Sequence, residues 1–131
     1  MSWRTAPWRW ALAVWTLGIW ASRVRNAIAD DDLDAAARTS AIVIAVAFVA
    51  GGAALAFTLW RPHQLHAIVV DLLVAAGIIR WSIRGPLILA SDEWDAGFKV
   101  VHTGLWLVTV ALSVMAWREL RSSHGSARHR H

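Results

Sequence analysis

"TSAIVIAVAFVAGGAALAFTLW", residues 39–60, runs through twenty-two positions without a charged side chain. At ~1.5 Å of rise per helical residue it covers a hydrocarbon core about 30 Å thick. That length and purity make the chain an integral membrane protein. "VVHTGLWLVTVALSVMAW", residues 100–117, reads as a second span, with His102 near its start. Composition agrees, since only 17% of residues are charged against about 25% in an average soluble domain.

Two shorter apolar runs flank these. Thirteen residues separate Arg9 from Arg23, and thirteen separate His66 from Arg80, Asp71 among them. Each spans only by running on to Arg25 or Ile83, with its arginines snorkelling to the interface. The expectation is an all-α protein, an integral membrane four-helix bundle with spans at 8–25, 39–60, 67–83 and 100–117. Trp8, Trp10, Trp20, Trp60, Trp81 and Trp117 fall near the span ends, where an aromatic belt belongs. Trp15 and Trp106 fall inside spans as packing residues. A cleaved signal peptide is the competing reading of the N-terminus, with "AIA" at 27–29 as its cleavage motif. Arg23 and Arg25 count against it.

A repeat counts against it too. Gly18, Ile19, Val24 and Arg25 align with Gly77, Ile78, Ile83 and Arg84. Asp32, Leu33, Asp34, Ala35, Ala36 and Arg38 then align with Glu93, Trp94, Asp95, Ala96, Gly97 and Lys99. The unit is a helical hairpin, so residues 1–61 and 62–118 form two hairpins. A two-span unit returns the chain to its starting side, which makes the copies parallel repeats. Gly51, Gly52, Ala53 and Ala54 supply small residues for close helix contacts. Pro86 is expected to stop the third span, leaving "LILA" at 87–90 as a re-entrant or interfacial segment. Residues 119–131 read as a basic, disordered tail.

Both acidic stretches precede the basic residue that opens the next span. Asp30, Asp31, Asp32 and Asp34 read as the cap and first turn of the second helix. For the fourth, Ser91 or Asp92 is the expected cap, ahead of Glu93 and Asp95. The functional alternative is that these seven carboxylates form an interaction surface or a shared cation site. Neither stretch has the spacing of a calcium loop.

Twelve of the thirteen basic residues are arginine, and alanine is abundant. That pattern reads as a GC-rich, bacterial coding sequence, which places the protein in the bacterial inner membrane. Arg118, Arg121, Arg128 and Arg130 are expected to touch anionic lipid headgroups, each contributing about 1 kcal/mol. The charge is segregated around apolar runs, so nucleic acid is not an expected partner. Seven basic residues on the face carrying both termini, against six on the other, favour cytoplasmic termini.

Asp71 is the sharpest candidate for chemistry. An acid central in a span costs ~2.5–3.5 kcal/mol, and its repeat counterpart is Leu12. It reads either as an intramembrane proton or cation relay or as a carboxylate near the headgroups, paired to Arg61 or His66. His63 and His66 start one span and His102 another from the opposite face, which opposes haem ligation by facing imidazoles. No common enzyme motif occurs and the chain has no cysteine. The expectation is a non-enzymatic accessory or structural subunit without metal or cofactor, packed as a homo-oligomer or within a larger membrane complex. The alternative is a small homo-oligomeric transporter or ion-conducting protein using Asp71.

Overall fold

Pro7 opens the first helix, its fixed φ suited to a position where no backbone N–H is needed. In the computed structural model, which describes residues 3–128, that helix is α1, Pro7–Ala29. It is followed by α2, Ala35–Trp60, α3, His66–Ala90, and α4, Ala96–Arg128. No strand occurs among the described residues. Short connections at 30–34, 61–65 and 91–95 make sequential helices antiparallel neighbours. Each packs on the next, and α4 closes back on α1.

Three helices, α2, α3 and α4, are long and apolar enough to cross a membrane. Only 33%, 28% and 17% of their most apolar windows lie inside the bundle. The outward faces, with Val43, Ile79 and Leu107 among their exposed residues, are left for hydrocarbon. The first helix is not among the three. Arg9, Arg23 and Arg25, together with Thr16 and Ser22, dilute its apolar content.

Small residues set the helix spacing at the centre. A Cβ on Gly52 would lie 3.1 Å from Leu17 of α1, and one on Gly51 would lie 3.1 Å from Leu73 of α3. These two glycines let α2 approach both neighbours, whereas Ala53 faces outward. The α2–α3 pairing is the looser of the two and leaves a groove of about 410 Å³ lined by Ala47, Ala50, Ala54 and Leu72. On the other side, Trp15 Nε1 donates to Thr109 Oγ1 of α4 at 2.9 Å.

Two expectations are corrected. Pro86 does not end α3, which runs through it to Ala90 with "LILA" as its last turn. Proline removes one helical donor, and the helix is held there by packing. Gly85 lies against the Trp106 ring so closely that a Cβ would come within 2.5 Å of it, and Ile88 is buried. Nor does α4 end at Trp117. It continues to Arg128 because Leu120 is buried in the core, while Ser122, Ser123 and Ser126 bond back to helical carbonyls. The expected disordered tail is therefore helical as far as Arg128, and Arg130 lies outside the described residues.

Candidate functional site

The first turn of α1 has no capping side chain of its own, since Ala6 holds the cap position. A helix start leaves N–H groups without partners, and a carboxylate is the favoured acceptor. Here Glu119 supplies it from α4. Its Oε2 accepts from the Trp8 N–H at 3.1 Å, and its Oε1 from the Arg9 N–H at 3.3 Å. The same Oε1 takes the Arg9 Nε at 2.8 Å, with the Arg9 side chain 2% exposed.

Arg9 then reaches across the bundle. Its second guanidinium nitrogen lies 2.9 Å from His66 Nε2 on α3. Arginine can only donate, so Nε2 accepts and the ring proton sits on Nδ1. That proton is given to Thr58 Oγ1 of α2, at 2.8 Å. The Thr58 hydroxyl passes its own proton to the Leu55 carbonyl at 3.0 Å. One polar chain thus ties all four helices, and His66 serves it as a neutral imidazole. Sequence reasoning listed Arg9 among interface arginines and His66 as a rejected haem ligand, and it passed over Glu119. The available signal was that Glu119 is the one acid outside the two loops other than Asp71.

Asp71 lies elsewhere. Its Oδ2 is 3.5 Å from Arg121 of α4, and both side chains are about half exposed. Its other oxygen is shielded and has no hydrogen-bond partner. As a carboxylate near the headgroups it has Arg61 and His66 as expected partners. Arg61 instead lies over the Trp60 ring at 5.0 Å, and His66 is held in the polar chain. Of the expected headgroup arginines, Arg118, Arg121 and Arg128 are exposed on α4.

The acidic stretches divide between capping and solvent. Asp34 Oδ1 accepts from the Ala37 N–H at 2.7 Å, and Asp95 Oδ1 from the Phe98 N–H at 2.7 Å. The fourth helix is therefore capped by Asp95, not by Ser91 or Asp92. Ser91 instead closes α3, and its hydroxyl accepts from the Glu93 N–H. Asp30 accepts from the Asp32 N–H, while Asp31, Asp92 and Glu93 stand exposed. Among the described residues no group of three His, Asp or Glu side chains is placed to hold a metal ion.

The bases that follow do matching work. Arg38 reaches back to the Asp30 carbonyl at 2.7 Å, and Lys99 to the Leu89 carbonyl at 3.2 Å. In each hairpin an aspartate caps the incoming helix and a cation satisfies the outgoing one. Compared with models of known protein families, with curated proteins and with solved structures, the chain matches none.

Proposed function

We propose that the protein is a non-enzymatic accessory or structural subunit of a membrane assembly. The polar chain from Glu119 through Arg9 and His66 to Thr58 carries this reading. The members of this chain are spent on one another and hold helices in place. The exposed acids Asp31, Asp92 and Glu93 are the docking surface, and Arg118, Arg121, Arg128 and Arg130 engage lipid headgroups.

The same reading takes α1 as a fourth span and the chain as two parallel hairpins in a bacterial inner membrane, both termini cytoplasmic. The matching roles of Asp34 with Asp95, and of Arg38 with Lys99, support the duplication. The packing of α1 along α2 and α4 supports its place in the bilayer.

The test is purification of the tagged protein from its own membranes in mild detergent, followed by native mass spectrometry. A stoichiometric larger partner, lost on charge reversal of Asp92 and Glu93, is expected. A bare homo-oligomer would instead favour the transporter reading, to which the unpaired oxygen of Asp71 lends support. In that case an ion flux in vesicles, abolished by Asp71→Asn, would replace the proposal.

A further inference from the structure

At the acidic-loop end of the bundle, α1 and α3 enclose a small cleft. It is lined by Trp20, Arg23, Arg80, Trp81, Arg84 and Ile88 and measures about 10 Å³. Arg23 lies over two indoles, 5.7 Å from the Trp20 ring and 5.4 Å from the Trp81 ring. Both rings are braced from behind. Trp20 stacks on Phe48 of α2 at 4.2 Å, and Trp81 meets His102 of α4, itself stacked on Phe98. The cleft therefore has rigid aromatic walls and three guanidiniums.

Among the described residues no carboxylate forms an ion pair with these arginines. The ion pairs among the described residues are Arg9–Glu119 and Arg121–Asp71. Of the loop acids, Asp34 and Asp95 cap helices and Asp30 closes a turn. Arg23 and Arg80 are half-buried nonetheless, and Arg84 is exposed. Three like charges in an apolar helical setting repel and are costly unless a counter-charge joins them. A second observation points the same way. Trp81 is 2% exposed, and its buried indole N–H has no acceptor, although such a group normally finds one.

We propose that this cleft is a binding site for a phosphate group. Guanidinium forks match phosphate oxygens in pairs, so Arg23, Arg80 and Arg84 supply the charge and Trp81 the neutral donor. The volume admits about one oxygen-sized atom, so one phosphate oxygen enters and the rest of the ligand stays at the mouth. An enclosed metabolite does not fit, whereas a phospholipid headgroup or free inorganic phosphate does.

Native mass spectrometry of the full-length protein in detergent tests this, with phosphatidylglycerol and inorganic phosphate titrated separately. Retention of one bound phosphate-bearing adduct is expected. Each Arg→Gln change at 23, 80 or 84 weakens it about tenfold, while Arg25→Gln on the same end leaves it unchanged. Trp81→Phe keeps the ring and removes the donor, and weakens binding several-fold even if an arginine variant fails to fold. Retention of phosphatidylglycerol undisturbed by excess inorganic phosphate identifies the headgroup as the source. Saturable binding of inorganic phosphate that displaces the lipid identifies the free ion. Absence of either adduct, or equal loss in Arg25→Gln, overturns the site.

Discussion

Arg9 and Glu119 lie 110 positions apart and meet at 2.8 Å, so the first helix is both capped and charge-balanced by the last. The two roles fall on one carboxylate, because Glu119 accepts from two backbone N–H groups of α1 as well as from the guanidinium. Removing either partner leaves a buried charge or an uncapped helix.

Glu119→Ala is therefore expected to destabilise the fold by ~3–5 kcal/mol, the usual cost of breaking a buried ion pair. Arg9→Met with Glu119→Leu should recover part of that loss, since no uncompensated charge remains. Reversible unfolding of the purified protein in mixed detergent measures both. A single variant no less stable than wild type would show that the pair is not the anchor described.

Asp34→Ala and Asp95→Ala should each cost ~0.5–2 kcal/mol, as loss of an N-cap does. Because both caps have the same geometry, the two losses should agree closely, and Asp92→Ala should cost nothing measurable. Hydrogen exchange at the amides of Ala37 and Phe98 gives a local readout, with faster exchange expected at the uncapped helix alone.

Gly85→Ala drives a methyl into the Trp106 ring, an overpacking expected to cost ~1–3 kcal/mol. Gly18 and Gly104 have open space around a Cβ, and alanine there should be neutral or slightly stabilising. Gly85→Ala combined with Trp106→Leu should recover stability. Thermal unfolding of the four variants separates steric conflict from a general intolerance of side chains in these helices.

Asp71→Asn should change stability by less than about 1 kcal/mol, because the pair with Arg121 is long and half exposed. Expression level and unfolding midpoint check this. A large loss would mean that its shielded oxygen carries more of the fold than its contacts do.

The sequence made α2 legible because hydrophobic length alone decides a span of that purity. It also made the hairpin logic legible, since Asp34 and Asp95 sit where a helix start needs an acceptor. The missing features depend on tertiary contact. Pro86 reads as a stop until Trp106 is known to pack over Gly85, and the tail reads as disordered until Leu120 is known to be buried. Glu119 was missed because nothing local distinguishes a charge facing solvent from one that caps a helix formed 110 residues earlier. Asp71 drew attention by its placement in an apolar run, yet α3 turns it toward Arg121 and not into the bundle.

The distance in sequence between Arg9 and its acceptor also has a temporal meaning. At ~5–20 residues added per second, Glu119 emerges on the order of 5–20 s after Arg9. Through that interval α1 has neither its cap nor its counter-charge. Closure of the bundle thus waits for α4. A nascent chain stalled before α4 therefore displays an unneutralised arginine and a fraying helix start.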